Sequence, residues 1–435
     1  MRIERLGSDV RIHAEGPVRG EVRPPGSKSL TNRYLTCAAL ADGRTVLQGA
    51  SQADDVSHMV AGLVELGVTV ESLANPARLV VSGCGGHLPT GAADISVGAA
   101  GTAMRFLTAL TTLGYGHYRL DGDPRMRERP IGPLVGALQK LGAGIGYAGA
   151  DGYPPLTVHG RGLGGGEVRF DRPPSSQFLS ALLMVAPYAT RDVYIAVDGG
   201  VPSRPYVDMT ITVMRSLGVE VLSADGRRFV VAAGQRYGGG EYEIEPDASA
   251  ATYFWAAAAV TGGCVRVVGL GRGSLQGDVG FADVLERMGC TVAAGDDWLE
   301  VRGPREGELR GVEVDLNSMP DTVQTLAVTA LAAAGPTTIR NVGNLRIKET
   351  DRLAALAREL TRLGAAVEER ADGLAIHPPA RVTPAAIETY GDHRMAMSFA
   401  VAGLLAPGTV IRAANCVTKS CPGFFEVFGR LGSSG

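Results

Sequence analysis

The sequence lacks the motifs that mark metal, redox and nucleotide-loop proteins. Its six cysteines have no CxxC spacing, and its seven histidines form no HExxH or other paired-ligand pattern. We therefore expect reduced thiols rather than disulfides or a zinc site. No GxxxxGK[ST] loop is present, and the GxGxxG from Gly160 to Gly165 runs into the strand-like segment EVRF instead of a helix. A parallel dinucleotide-binding fold is therefore disfavoured.

Strong net charge and long apolar runs are also missing. With 42 Lys and Arg against 45 Asp and Glu, the formal net charge is −3, and no basic block of the kind that binds nucleic acid occurs. The first residues have no signal-peptide core, and the longest apolar stretches, such as Met395 to Ala406, are too short to cross a membrane. We expect a cytoplasmic protein without nucleic-acid or membrane partners, in which any anion site is local.

Glycine is abundant, and one glycine-containing signature repeats. The 60 glycines among 435 residues are about twice the usual share, which predicts many tight turns. Six times a helical apolar pattern ends in Leu-Gly or Met-Gly, usually with an apolar strand beyond. Such endings are common in α/β proteins, but copies 68 to 76 residues apart favour a true repeat: Gly67, Gly142, Gly218, Gly289, Gly364 and Gly432. The length and the repeat predict an α/β chain of two similar domains with three units each.

Several helix starts carry basic and hydroxyl side chains. The segment PPGSKSLTNR places Ser27, Lys28 and Ser29 in the first turn of a predicted helix and Arg33 one turn later. Cations are unfavourable at the positive end of a helix unless an anion joins them, so GSKS predicts a phosphate or carboxylate site. AGTAMRF and SSQFLSALL show similar starts, although a single hydroxyl at such a place is usually only a cap.

A second group of basic residues lies in the last hundred residues. Lys348 and Arg352 stand four residues apart at the start of a predicted helix, where like charges repel and the helix dipole adds to the cost. Glu349 between them offsets part of that cost. The segment YGDHRMAM repeats the pattern with Arg394 before an apolar helix. These segments predict a bound anion, whereas the arginines of DPRMRERPIGPL could equally form a solvated loop cluster.

These motifs together resemble the enolpyruvyl transferase family, in the family's order and over nearly the whole chain. They are GSKSLTNR, AGTAMRF, DGDPRMRERPIGPL, SSQFLSALL, SMPDTVQTLA, NLRIKETDRL, YGDHRMAM and the Lys419 segment. The resemblance implies two domains, each of three βαβαββ units in an inside-out α/β barrel, with the active site in the cleft between them. The expected bounds are residues 1–25 with 245–435 for the first domain and 26–244 for the second.

The resemblance also implies a reaction. The expected activity transfers the enolpyruvyl group of phosphoenolpyruvate to the 5-hydroxyl of shikimate 3-phosphate and releases phosphate through a tetrahedral intermediate, in aromatic amino acid biosynthesis. The chemistry calls for no metal or organic cofactor, and we expect a monomer that is inhibited by glyphosate. The alternatives are a relative that acts on a modified shikimate, a sibling transferase that acts on UDP-N-acetylglucosamine, and an inactive ligand-binding paralogue.

Site residues follow from the same resemblance, position by position. The expected phosphoenolpyruvate ligands are Lys28, Gly101, Arg125, Gln177, Arg352, Arg394 and Lys419. The expected shikimate 3-phosphate ligands are Lys28, Ser29, Arg33, Ser175, Ser176, Gln177, Ser203, Tyr206, Asp321, Asn344 and Lys348. The expected catalytic residues are Lys28, Asp321 and Glu349. Asp321 also stands where a carboxylate could cap its helix. Two residues depart from the family pattern, since Ala99 replaces a frequent Asn and Phe106 a frequent Pro.

Overall fold

Two units make up the chain in the computed structural model, which describes residues 1–14, 16–73, 77–223, 225–305 and 307–432. The first unit comprises Met1–Pro25 and Pro246–Gly435, and the second comprises Gly26–Glu245. Glu245, expected in the first domain, lies in the second unit, where its carbonyl accepts a hydrogen bond from the Ser27 amide.

Helices and short strands alternate along both units. The α-helices of the described residues are α1 (Lys28–Leu40), α2 (Asp54–Glu65), α3 (Gly101–Thr111), α4 (Gly132–Lys140), α5 (Ser176–Val185), α6 (Arg204–Ser216), α7 (Ala248–Thr261), α8 (Phe281–Arg287), α9 (Val323–Thr329), α10 (Arg352–Arg362), α11 (His393–Leu405) and α12 (Phe424–Gly429). The strands are β1 (Arg2–Leu6), β2 (Asp9–His13), β3 (Arg19–Val22), β4 (Asp42–Gln48), β5 (Thr69–Leu73), β6 (Arg78–Ser82), β7 (Ala92–Ser96), β8 (Tyr115–Asp121), β9 (Gly144–Tyr147), β10 (Leu156–Arg161), β11 (Gly166–Asp171), β12 (Val193–Asp198), β13 (Arg228–Val231), β14 (Gly238–Glu243), β15 (Cys264–Val268), β16 (Thr291–Ala294), β17 (Trp298–Arg302), β18 (Glu313–Asp315), β19 (Thr337–Arg340), β20 (Ala366–Arg370), β21 (Gly373–His377), β22 (Ala386–Ile387) and β23 (Val410–Ile411).

The strands form sheets that share one topology. Each sheet has a parallel pair at one edge, followed by antiparallel strands. In the second unit the orders are β14-β4-β6-β5, β7-β8-β10-β9 and β11-β12-β13. In the first unit they are β3-β15-β17-β16, β18-β19-β21-β20 and β22-β23-β2-β1. The predicted α/β fold of repeated βαβαββ units is therefore confirmed.

One helix leads into the second strand of every parallel pair. These crossover helices are α1, α3, α5, α7, α9 and α11, and nearly all of their residues are buried. In the first unit, α7 contributes the Ala-rich segment ASAATYFWAAAAVT, which packs on α9 and α11. Small side chains let the helices approach closely, while Phe254, Trp255 and Phe399 fill the larger spaces.

The repeated glycines end the other helix of each unit. Gly67, Gly142, Gly218 and Gly364 have φ of 82°, 98°, 93° and 101°, and Gly289 has 107°. Such left-handed backbone is where glycine replaces other residues at a helix end, so this prediction is confirmed for five copies. The prediction is wrong for Gly432, whose φ is not positive and whose amide bonds to the carbonyl of Arg430 instead.

No helix among the described residues is long and apolar enough to cross a membrane. All six cysteines are free thiols.

Candidate active site

The repeat places functional side chains at equivalent positions. In every crossover helix the second residue lies in the first turn, where backbone N–H groups have no partner within the helix. For α9, the first turn is the short helix Pro320–Thr322 that runs into it. The six second residues are Ser29, Thr102, Gln177, Ser249, Asp321 and Arg394. Four of these six residues were predicted as site residues. The other two, Thr102 and Ser249, were not.

Arg352 forms the centre of a charged cluster in the first unit. It opens α10, its side chain is only 1% exposed, and it bonds to three carboxylates. The distances are 2.7 Å from Nε to Asp392 Oδ2, 2.9 Å from Nη2 to Glu349 Oε2 and 3.2 Å from Nη1 to Asp321 Oδ1. Burial lowers the pKa of Arg352, but the three carboxylates outweigh burial and raise it above its ordinary value.

Arg394 and Lys419 complete this cluster. Arg394 Nη2 lies 2.8 Å from Asp321 Oδ2, and Arg394 Nη1 lies 3.3 Å from the Tyr253 hydroxyl. Lys419 Nζ is 3.8 Å from Glu349 Oε1. Asp321 therefore joins the two arginines, and the N-cap residues of its helix segments, Met319 and Thr322, form no side-chain capping bond. Burial raises the pKa of Tyr253, which keeps that hydroxyl neutral beside Arg394.

Three cations and three carboxylates are thus held together with little exposure to water. Ion pairs out of water are stable only when every charge has a partner, and the cluster meets that condition before any ligand is present. A bound anion would compete with the carboxylates for the cations. Each carboxylate that lost a cation would hold a proton more tightly, which is the property that a proton-transfer site needs.

Lys28 has its own carboxylate in the second unit. Its Nζ lies 2.9 Å from Asp55 Oδ2, with side chains 12% and 4% exposed. Ser27, expected in the first turn of α1, instead lies just before the helix and caps it by accepting a hydrogen bond from the Leu30 amide. Asp55 was missed from the sequence because acids in a first helical turn, here that of α2, are common.

Arg33 is buried and holds backbone of other site residues. Its Nη1 donates to the Ser29 carbonyl at 2.9 Å and its Nη2 to the Tyr206 carbonyl at 3.1 Å. Its Nε bonds Thr210 Oγ1 at 2.7 Å, and its guanidinium lies 5.5 Å from the centre of the Phe106 ring. Burial lowers the pKa of Arg33 to about 10. Phe106, unusual at its place, thus packs on a predicted ligand.

Gly101 is overlaid by Arg129, one of the arginines of the segment DPRMRERPIGPL. A Cβ at this glycine would come 2.5 Å from Nη2 of Arg129, which is 5% exposed. The Gly101 carbonyl accepts from Arg105 Nη1 at 3.0 Å, and Arg105 Nη2 donates to Pro130 at 2.8 Å. Two arginines therefore surround the first turn of α3, one along its side and one over its start.

The start of α5 is ordered by its hydroxyls. Ser175 Oγ caps the helix by accepting from the Gln177 amide at 3.2 Å, and Ser176 is the first helical residue. Gln177 Nε2 donates to Thr102 Oγ1 at 3.2 Å, which joins the starts of α3 and α5. Ser203, before α6, has a φ of 47°, a strained value for a residue with a side chain and a frequent feature of functional sites.

Some predicted ligands lie outside these clusters. Arg125 pairs with the exposed Glu128 at 2.7 Å, so it retains the solvated arrangement weighed from the sequence. Asn344 belongs to the short helix Gly343–Ile347, and its buried Oδ1 has no hydrogen-bond partner among the described residues. Lys348 follows that helix directly. The placements of Arg125, Asn344 and Lys348 neither support nor contradict a role in ligand binding.

The family is decided by comparison with known proteins. Residues 12–428 match the family described as EPSP synthase (3-phosphoshikimate 1-carboxyvinyltransferase). The chain belongs to the EPSP synthase family. A 3-phosphoshikimate 1-carboxyvinyltransferase of Nostoc sp. (strain PCC 7120) is 50% identical over 415 residues, which cover 95% of this chain and 97% of that protein. One of Shewanella baltica (strain OS155) is 48% identical over 97% of this chain and 99% of that protein.

Solved structures agree with this membership. EPSP synthase from Acinetobacter baumannii has a TM-score of 0.81 and 26% identity, with 98% of both chains covered. The enolpyruvyl transferase NikO from Streptomyces tendae has a TM-score of 0.78 at 19% identity and covers 97% of this chain and 96% of its own, which shows a shared fold. The EPSP synthase family binds the small molecules phosphoenolpyruvate and shikimate 3-phosphate. The clusters of charged side chains must therefore be understood as sites for small anions.

Proposed function

We propose that this EPSP synthase family member transfers the carboxyvinyl group of phosphoenolpyruvate to the 5-hydroxyl of shikimate 3-phosphate. The observation that carries the proposal is the cluster of Arg352, Arg394 and Lys419 with Asp321 and Glu349. It combines cations for an anionic substrate with carboxyl groups that can move protons. This function differs from action on a modified shikimate in its acceptor, which is shikimate 3-phosphate.

The two substrates use largely different side chains in this proposal and share Lys28 and Gln177. Phosphoenolpyruvate takes the cations, namely Lys28, Arg125, Arg352, Arg394 and Lys419, with help from Gly101 and Gln177. Shikimate 3-phosphate takes mostly hydroxyl and amide groups, together with Lys28, Arg33, Lys348 and Asp321. The remaining ligands of this second set are Ser29, Ser175, Ser176, Gln177, Ser203, Tyr206 and Asn344.

Proton transfer accompanies both steps of the proposed reaction. The 5-hydroxyl oxygen adds to C2 of phosphoenolpyruvate as Asp321 takes its proton, and C3 gains a proton from Glu349. In the second step C3 returns a proton to Glu349 and phosphate leaves C2, with Lys28 as acid toward the leaving group. Substrate anions that draw Arg352 and Arg394 from Asp321 would raise its proton affinity when a base is required.

The first test is substrate choice. Purified protein with phosphoenolpyruvate should release phosphate with shikimate 3-phosphate, and at most slowly with shikimate or UDP-N-acetylglucosamine. A site built for a phosphate group leaves buried cations unpaired when that phosphate is missing, so discrimination should exceed about 10³-fold. Phosphate release that is fastest with another acceptor, or absent with all three, would contradict the proposed function.

Gly101→Ala tests how tightly the start of α3 is packed. The added methyl must displace the Arg129 guanidinium, which is the flexible end of a side chain and can move. We expect the inhibition constant of glyphosate to rise about tenfold more than the Michaelis constant of phosphoenolpyruvate, because glyphosate is the longer molecule. The matched control is Gly136→Ala on α4, where the added Cβ would meet open space. A proportional rise of both constants in Gly101→Ala would reject this steric explanation.

We further propose a cytoplasmic monomer. Free thiols at all six cysteines support a reducing compartment. Light scattering should give about 45 kDa, the mass of one chain of 45.2 kDa, and a stable dimer at assay concentration would contradict the proposal.

A further inference from the structure

Helix α10 presents two buried charged side chains on one face. Arg352 opens the helix, and Glu359 follows seven residues later, which is about two turns and returns to the same side of the helix. The side chain of Arg352 is 1% exposed and that of Glu359 is 0% exposed. Arg352 belongs to the charged cluster, whereas Glu359 lies two turns away from it. A carboxylate buried there requires partners of its own.

Both side chains bind the segment between β22 and α11, which runs from Glu388 to Asp392. Arg352 holds the end of this segment, since its Nε lies 2.7 Å from Asp392 Oδ2. Glu359 holds its beginning and its middle. Oε2 of Glu359 accepts from the Glu388 amide at 3.2 Å, and Oε1 accepts from the Tyr390 hydroxyl at 2.6 Å. One face of α10 therefore fixes the segment at three points.

The middle of this segment has a conformation that needs support. Tyr390 has a φ of 53° and Gly391 has a φ of 67°, so two consecutive residues are left-handed. Glycine adopts this backbone without strain, but a residue with a large side chain does so only where its surroundings hold it. The turn ends at Asp392, whose carboxylate accepts from the Arg394 amide at 2.9 Å and pairs with Arg352. The strained turn therefore ends on the residue that contacts two arginines of the cluster.

The bond between Glu359 and Tyr390 is the buried contact in this region. A hydroxyl that donates to a carboxylate forms a charge-assisted hydrogen bond, and a length of 2.6 Å is typical of such bonds. Burial and Glu359 raise the pKa of Tyr390, so its hydroxyl keeps the proton that it donates. Arg362 Nε lies 3.3 Å from Glu359 Oε2, and Arg358 Nη1 lies 3.2 Å from the Tyr390 hydroxyl. Both arginines are exposed, so water weakens their contribution.

We propose that Glu359 and Tyr390 are positioning residues that fix the segment ending at Asp392 on α10 and thereby place the guanidinium groups of Arg352 and Arg394. The inference rests on the proposed function, in which phosphoenolpyruvate takes these two arginines. Glu359 and Tyr390 act on the reaction through Asp392 and not through the substrate. Loss of their bond lets Asp392 shift together with its cap and its ion pair, so phosphoenolpyruvate should be affected more than shikimate 3-phosphate.

Tyr390→Phe tests the inference because it removes the hydroxyl and keeps the ring. We expect the Michaelis constant for phosphoenolpyruvate to rise about tenfold, as for a lost hydrogen bond to a charged group, while that for shikimate 3-phosphate stays within about twofold. The matched control is Tyr242→Phe, which removes a hydroxyl that donates to the Ser216 carbonyl at 3.1 Å in the second unit. Arg358→Met is a second control, because it removes only the exposed contact to the Tyr390 hydroxyl. Both controls should keep both Michaelis constants.

Variants of Glu359 separate positioning from a merely structural role. Glu359→Ala loses the contacts to Tyr390 and to the Glu388 amide, whereas the amide oxygen of Glu359→Gln can keep one of them. Gln should therefore recover part of the affinity for phosphoenolpyruvate that Ala loses. In a double-mutant cycle of Glu359→Gln with Tyr390→Phe, the combined rise of this Michaelis constant should be smaller than the product of the two single rises, because both changes weaken the same bond.

Circular dichroism at the assay temperature checks that each variant is folded. A merely structural role lowers Tm without separating the two substrates. Wild-type Michaelis constants in folded Tyr390→Phe, equal rises for both substrates, or a double variant whose effect equals the product of the single effects would each overturn the inference. A wild-type protein that releases no phosphate from phosphoenolpyruvate with shikimate 3-phosphate would instead reject the proposed function, and the inference with it.

Discussion

Replacing Glu349 by Gln should leave ligand binding nearly intact and lower kcat by about 10²–10⁴-fold, the usual loss for a general acid–base residue. The amide keeps the shape of the carboxylate and can still contact Arg352 Nη2, which lies 2.9 Å from Glu349 Oε2. It cannot give a proton to C3 of phosphoenolpyruvate or take one back. Arg352 retains Asp321 and Asp392 as partners, so the fold should survive the lost charge.

Single-turnover phosphate release measures this effect, with calorimetric binding of shikimate 3-phosphate as the check on ligand affinity. Glu369→Gln is the matched control, because Glu369 also pairs with an arginine, Arg346 at 2.7 Å, but on an exposed strand. The control should keep the wild-type rate. If Glu349→Gln also turned over near the wild-type rate, Glu349 would not be the proton donor and acceptor.

The repeated architecture was predictable because it depends on local physics. A helix that must turn sharply into a strand needs left-handed backbone, and glycine adopts it without strain. The regular spacing of the glycines from Gly67 to Gly364 therefore predicted the length of one repeat unit. Gly432 did not follow the rule, since its φ is not positive. The strands β1 and β2, which complete that unit, come from the opposite end of the chain.

The helix starts were predictable for the same kind of reason, although the partner was not. A cation at a helix start requires an anion, and Lys28 and Arg352 both have one. In the structure that anion is a carboxylate of the protein itself, Asp55 for Lys28 and chiefly Asp392 for Arg352. Side chains this distant in sequence are brought together by the repeat, so no local pattern could name them.

Long-range packing determines the burial of Arg33 and Arg129, which sequence patterns could not reveal. In the sequence both belong to candidate anion-binding segments and no pattern indicates their burial, yet they are 2% and 5% exposed. Arg33 is buried because α6 brings Thr210 and the Tyr206 carbonyl to it, and Arg129 because its loop folds over Gly101. Besides its predicted role as a ligand, Arg33 thus holds the backbone of Ser29 and Tyr206 in place.

Replacing Arg352 by Met should have the largest effect on stability as well as on activity. The side chain is similar in length, but Asp321, Glu349 and Asp392 would lose their shared cation, and Asp392 is fully buried. Removing one partner from a buried ion pair costs about 3–5 kcal/mol, because the remaining charge is left unsolvated. We expect the free energy of unfolding to fall by that amount, and phosphate release to become too slow to detect.

Urea unfolding and phosphate release measure these two effects. Arg358→Met is the control, because Arg358 lies on the same helix α10 with an exposed contact to the Tyr390 hydroxyl at 3.2 Å. Its removal should leave both measurements nearly unchanged. Arg352→Lys adds a finer comparison, since an ammonium restores the charge without the planar fork that reaches three carboxylates at once. It should recover part of the stability and little of the activity. Equal stability of Arg352→Met and Arg358→Met would mean that the carboxylates around Arg352 do not depend on it, and the description of this cluster as one electrostatic unit would be wrong.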